Sequence, residues 1–349
     1  MLKQSWIQSD WLDEYDEEPE IDSDYVNDLV NINVTLDNYM QLIKLADFIQ
    51  VKNVDVLIDA IVRVKNDINC VTEFEDFYKL SPRLKTFTKN KLRVAIEHFT
   101  TDEMDCFVTY GHISYWDISG INDMSYMFEN IKFNGDISKW DVSNVTNMNS
   151  MFNGCNVELP KLHGTYLYNM LCCSESDVYL DTTSILSNWD VSKVTNMRNM
   201  FGRSSFNGDI SKWDVSNVTC MNSMFMGSTF NGDISNWDVS SVTDMNYMFY
   251  ETCYNGVISN WNVSGVTRMS GMFCCSKFNG VIAKWNVSNV TRMDDMFGCS
   301  KFNGVIARWN VSSVTNMKYM FSHSEFKGDI SKWNVSNVTN MDHMFDKIR

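Results

Sequence analysis

The stretch F-N-G-D-I-S-K-W-D-V-S-N-V-T-C-M-N-S-M-F, Phe206 to Phe225, decides the fold, because it recurs with small changes through the C-terminal two-thirds of the chain. Trp116, Trp140, Trp189, Trp213, Trp237, Trp261, Trp285, Trp309 and Trp333 are spaced by 24, apart from one gap of 49. A Met-x-x-Met-Phe motif follows each Trp, the first at Met124–Phe128 and the last at Met341–Phe345. A fixed period of this length means stacked supersecondary units. A four-stranded propeller blade needs about 40 residues or more. A 24-residue unit fits one strand, a turn and one short helix.

The chemistry of each slot supports that reading. Ile210 and Trp213 are apolar positions in a short extended stretch, and Asn207-Gly208 before them tolerates the positive φ of a bend. Val218, Met221, Met224 and Phe225 fall at helical spacing, which predicts a short helix with one inner face. Ser204, Ser228, Thr252, Ser276, Ser300 and Ser324 are small residues where the coil turns back. No unit buries its apolar face alone, so neighbours must stack, at about the 4.8 Å spacing of paired strands. The gap of 49 is two periods plus one residue, so a degenerate unit is expected near 157–181, within an array of about ten units over 107–349. The fold class expected is an α+β repeat solenoid preceded by a small all-α domain.

Residues 1–110 contain no Gly, and all sixteen Gly follow them. Charge is uneven too: residues 1–110 hold 22 acids and 11 bases, against 22 and 18 in the rest. Residues 1–28 carry ten acids and one base, Lys3, which predicts a largely disordered arm. Trp6, Ile7, Trp11 and Leu12 within it read as a docked segment or as a linear motif. Helices are expected around Leu36–Ala46, Val54–Ile61, Thr72–Tyr78 and Leu92–Phe99, giving a helical domain over 29–106.

The net charge of −15 argues against nucleic-acid binding, which needs a basic footprint. No apolar run is long enough to span a membrane. The acidic start lacks a secretory pattern, so a reducing cytoplasmic setting is expected. The five His, His98, His112, His163, His323 and His343, sit near no Cys at metal spacing and no nucleophile motif. There is no Gly-rich phosphate loop after a strand and no Cys-x-x-Cys. The chain is therefore expected not to be an enzyme and to hold no cofactor or metal. Cys275 and Cys299 share a slot in adjacent units and read as two free thiols or as a disulfide across the stack.

Two surface features are candidate contacts. The slot before Trp holds Lys139, Lys212, Lys284, Arg308 and Lys332, a basic stripe that reads as ordinary solvation or as a docking face for an acidic protein partner. The last unit keeps the ordinary apolar composition, and its Phe326 and Trp333 are candidate open-end contacts for a two-fold homodimer.

The repeat resembles the BspA-type leucine-rich repeats in the variant W-x-V-S-x-V-T-x-M-x-x-M-F-x-x-x-x-F-N-G-D-I-S, over about 109–345. Such arrays occur in surface proteins of bacteria and mollicutes and in uncharacterised proteins of giant amoeba viruses. The resemblance implies a leucine-rich-repeat-like, non-enzymatic interaction scaffold, and host cytoplasm if the source is viral. A surface adhesin or a structural virion component is the alternative it carries. Asn31 to Ile61, NINVTLDNYMQLIKLADFIQVKNVDVLIDAI, is similar to the C-terminal half of a BTB/POZ or Skp-type adaptor. That similarity implies a cullin-type ubiquitin ligase subunit as partner; a plain helical hairpin is the other reading.

The invariant Trp spacing predicts a core column. Trp237→Ala is expected to destabilise the array by roughly 3 to 5 kcal/mol. Coincident thermal melts of variant and parent would remove Trp from the core.

Overall fold

A computed structural model describes residues 87–110, 113–157 and 185–348. The chain divides into two compact units, Met1–Phe74 with Leu167–Ser174, and Glu75–Tyr166 with Glu175–Arg349, and every described residue lies in the second. The acidic arm, the three earlier expected helices, the stretch Asn31 to Ile61 and nearly all of the expected degenerate unit lie outside the described residues.

Helix α1, Lys89–Thr101, starts where the Thr88 hydroxyl accepts the Lys91 N–H, and Leu92, Ala95, Ile96 and Phe99 form its buried face. Helix α2, Glu103–Tyr110, follows, with the Cys106 thiol donating to the Ala95 carbonyl at 3.4 Å. Both helices belong to the same compact unit as the array, so the boundary expected at residue 106 falls inside one body. The Phe99 ring lies 5.8 Å from that of Phe133, Lys89 pairs with Asp123 at 2.9 Å, and the Arg93 guanidinium donates to the Tyr126 carbonyl at 2.9 Å. A 3-10 turn, Ile113–Tyr115, then leads into the first coil.

From there 24-residue coils stack in parallel register. Bridges join Asp123 to Asn147, Asn147 to Asn196, Asn196 to Cys220, and so on coil by coil to Asn340. Strands β1, Lys132–Phe133, and β2, Asn156–Val157, add one short parallel pair. The buried columns stack as rings: Phe225 on Phe249 at 5.7 Å and Trp213 on Trp237 at 6.5 Å. Burying each such side chain contributes roughly 1.5 to 3 kcal/mol.

Two expectations are corrected. The register passes directly from the Trp140 coil to the Trp189 coil: the Met148 N–H donates to Asn196 at 2.9 Å, and the Trp189 indole donates to Ile137 at 3.1 Å. No coil built on 157–181 lies between them. The described array therefore has nine Trp coils, and the extra residues are an insertion between adjacent coils.

The expected short helix of each coil is a run of turns instead. The N–H groups of Met221, Ser223, Phe225 and Gly227 leave the coil for the carbonyls of Asp244, Asn246, Met248 and Tyr250, at 2.8 to 3.0 Å. Those of Met224, Met226 and Ser228 close three-residue turns onto Met221, Ser223 and Phe225. An α-helix would keep every donor within the segment. The alternation requires left-handed backbone at two slots, seen at Ser223 (φ 57°) and Gly227 (φ 64°). Across the described coils, fifteen non-glycine and three glycine residues have positive φ, and all occupy these two slots. Spacings of three, three and one read like a helix face because three-residue turns share them.

Side chains fill the remaining backbone valences. Thr219 donates both its N–H (2.9 Å) and its hydroxyl (3.2 Å) to the Thr195 carbonyl of the preceding coil. The Trp237 indole N–H donates to the Ile210 carbonyl at 3.0 Å, a bond that Phe could not make. Buried Ser228 accepts the Phe230 N–H at 3.1 Å. Asp233 and Asp238 accept the N–H groups of Ser235 and Ser240 at 2.9 and 3.0 Å, as Asx turns do.

Tyr254 breaks this bookkeeping. It stands where other coils have Phe206, Phe230, Phe278 and Phe302, it is fully buried, and its hydroxyl has no hydrogen-bond partner. Burial pushes its ionisation well above the usual tyrosine range. Tyr254→Phe is expected to stabilise the array by about 1 to 3 kcal/mol, the cost of an unmade buried bond. A lower melting temperature for the variant would contradict this.

Acid should loosen the Asx turns. The Ser hydroxyl and N–H two residues on hold Asp141, Asp190 and Asp238 below the usual carboxylate range. A carboxyl depressed in the folded state contributes stability above its unfolded value, about 3.9, and loses it as pH falls through the folded one. Later coils use neutral Asn262, Asn286 and Asn310 in the same slot, with the same bond at 3.2 Å. Replacing the three Asp by Asn is expected to shrink the fall in melting temperature between pH 5 and pH 3. An unchanged acid limb would show that other carboxylates govern it.

Candidate interaction surface

Each coil turns its repeated apolar residues inward. The side chains left outside come from a few columns, and these differ from coil to coil. The slot before Trp is one of them: Lys139, Lys212, Lys284, Arg308 and Lys332 are all exposed. Because the coils are in register, they form one stripe, with Asn188, Asn236 and Asn260 in the intervening coils.

The cations of the stripe differ in their surroundings. Lys139 donates to the Tyr115 hydroxyl at 2.9 Å and lies over its ring. Lys212 and Lys332 lie close enough to Asp209 and Asp329, three residues earlier in the same coil, to help hold those carboxylates below the usual range. The acids' main stabilisation there is the N–H of Ser211 and Ser331. Lys284 and Arg308 have Val281 and Val305 in that slot instead.

The candidate open-end contacts are misplaced by the sequence reading. Phe326 and Trp333 are buried, at 3 % and 8 % exposure. Trp333 packs on Trp309 at 6.5 Å and donates its indole N–H to Ile306 at 3.1 Å, so it closes the coil before it. The exposed apolar side chains of the last described coil are Val335, Met341, Phe345 and Ile348. Their slots in the preceding coil, Val311, Met317 and Phe321, are covered. The signal lay in the direction of packing: each Trp reaches back, and each Met-x-x-Met-Phe segment is covered by the next coil.

Two other clusters have chemistry in them. Cys274 and Cys275 have sulfurs 3.7 Å apart, and Cys299 occupies the slot of Cys275 one coil on. All three are free thiols, and burial first of all raises Cys274 and Cys275 above the usual thiol range. Thiols raised in this way are poor nucleophiles. Among the described residues no three His, Cys, Asp or Glu side chains converge as a metal ion would require. A cleft of about 460 Å³ is lined by Tyr126, Asn149, Ser150, Arg198, Asn199 and Ser223. Among the described residues no helix is long and apolar enough to cross a membrane.

No curated protein and no solved structure matches the chain at a significant level. A family model does, over residues 95–158, 173–274 and 252–349. Those three stretches cover the stacked coils, the register of which is set out above, and amount to more than half of the sequence. The chain belongs to the family described as "Mycoplasma protein of unknown function, DUF285".

Proposed function

We propose that the chain is a non-enzymatic protein–protein interaction scaffold, its array a leucine-rich-repeat-like solenoid of the BspA type. One observation carries this reading. The repeated residues with distinctive chemistry, Trp, Met, Phe and the turn Ser, are buried and spent on holding coils together, while the exposed slots vary along a continuous surface. Stacked repeats present such surfaces to partners, since each coil adds area without altering its neighbours.

In this reading the partner is a protein held along the array in a reducing cytoplasm. The likeness of Asn31 to Ile61 to BTB/Skp adaptors adds a cullin-type ligase subunit as a second partner, by analogy of sequence alone. The adhesin reading makes the opposite demand, exposure at an outer surface.

Chemical cross-linking of the intact chain in the producing cell, followed by mass spectrometry, tests the scaffold. The expected result is a small set of proteins cross-linked to array lysines and displaced by excess purified chain. Cross-links confined to the chain itself would overturn the reading. Cullin peptides would support the adaptor role, and labelling by a membrane-impermeant reagent on intact cells would support the adhesin.

A further inference from the structure

The repeat contains its own control. In the slot three residues before the basic stripe, Asp136, Asp209, Asp233 and Asp329 each precede Ile. Their side chains accept the N–H of the Ser two residues on, at 2.9 Å in every case. Three consecutive coils keep the main-chain turn but replace that acceptor by Val257, Val281 and Val305, whose side chains cannot accept a hydrogen bond. These valines are 63 %, 70 % and 70 % exposed, the most exposed of the large apolar side chains described. Replacing a turn-forming carboxylate by a solvated β-branched hydrocarbon gives up local stability with no packing in return.

The three valines lie side by side. Asn279 N–H donates to the Asn255 side chain and Asn303 N–H to the Asn279 side chain, both at 2.8 Å, two residues before Val281 and Val305. This ladder fixes the coils in register at the stripe's edge. The slot two residues after Val changes as well: Ser211 and Ser235 of earlier coils become Ala283 and Ala307.

Charge changes over the same coils. Residues 205–214 and 229–238 carry net charges of −1 and −2. The matching segments 277–286 and 301–310 each hold two cations and no acid: Lys277 with Lys284, and Lys301 with Arg308. The slot after Trp switches from Asp214 and Asp238 to Asn262, Asn286 and Asn310, keeping the turn while removing the charge. Lys301 is partly answered by Glu325 of the next coil. On a chain of net charge −15, an apolar stripe and a basic one have been placed together, in segments 277–286 and 301–310 that contain no acid.

We infer that Val257, Val281 and Val305, with Lys284 and Arg308, form a docking stripe for an acidic protein segment carrying aliphatic side chains. This rests on the scaffold reading and names the surface and the partner's chemistry. Carboxylates of the segment meet Lys284 and Arg308, which have Val281 and Val305 three residues earlier where Lys212 and Lys332 have Asp, and its aliphatic side chains cover the valines. Complementary charge of this kind sets on-rate and selectivity, and the apolar contact sets residence time.

Fluorescence anisotropy with a labelled peptide of alternating glutamate and leucine, on the full chain, tests the inference. Saturable binding is expected at low salt, weakening as salt rises. The triple variant V257D/V281D/V305D restores the Asp of the other coils, so it should melt no lower than the parent, yet bind about tenfold or more weaker. The double variant K284Q/R308Q, which leaves the valines in place, should lose a similar factor at low salt. Absence of binding by the parent up to millimolar peptide would overturn the inference. So would equal binding of a lysine–leucine peptide, or of a glutamate–serine peptide. In the cross-linking experiment, a parent whose partners are all retained by the triple variant would overturn this stripe and leave the scaffold reading standing.

Discussion

The hydrogen bonds between successive coils set the terms for everything else. Every second N–H of the Met-x-x-Met-Phe segment leaves its own coil for the next one, and the donors between close three-residue turns. The pattern works only if the backbone alternates into the left-handed region at two fixed slots. For a residue with a Cβ that conformation costs about 1 to 2 kcal/mol. Tyr126, Arg203, Glu251 and Lys347 all adopt it. Such a cost is tolerated where the stack overdetermines the residue: Tyr126, Arg203 and Glu251 each donate their N–H to the next coil, beside buried Phe side chains. A single coil would have no reason to keep the conformation, which is why the array is cooperative between neighbours.

That constraint also sorts what the sequence discloses from what it conceals. The 24-residue Trp period and the inward Met and Phe columns are legible because burial leaves a compositional trace at every repeat. The last helix is legible too, with Leu92, Ile96 and Phe99 on one face. The left-handed slots leave almost no trace, since only Gly154, Gly227 and Gly271 among them are glycine. Residues as unlike as Ser223, Asp295 and His343 fill the rest, so no local signal separates stacked turns from a helix. The insertion was hidden for a related reason. A gap of two periods plus one residue is arithmetically a missing unit, and only the pairing of Asn147 with Asn196 shows that the stack skips it.

The surface was legible in composition and illegible in partnership. A column of Lys and Arg can be read from spacing, and the structure keeps all five exposed. Their chemical equivalence cannot be read that way. Lys139 is drawn onto Tyr115, Lys212 and Lys332 have an Asp three residues earlier, and Lys284 and Arg308 have Val there. Phe326 and Trp333 illustrate the converse. Their position near the end of the array suggested exposure, yet both pack back onto the coil before them, and Met341 and Phe345 are left uncovered instead.

An array built in this way separates stability from recognition with unusual freedom. Trp in every described coil, Thr in all but the first, and Ser or Thr at the turn from Ser204 onward donate or accept hydrogen bonds of the main chain, so these slots vary little. The slots between them touch solvent and can be rewritten one coil at a time, because a change in one coil leaves the bonds of its neighbours intact. Asp to Asn after Trp shows a rewrite that keeps the turn and removes the charge. Asp to Val before Ile shows one that keeps the main-chain turn and surrenders the side-chain bond that supports it. The Trp189 coil also lacks Asp in this slot, but its Ile185 packs partly against the core. A strongly exposed aliphatic side chain there, repeated in three adjacent coils, is what selection on a contact surface would leave behind. Drift would scatter such changes among the coils.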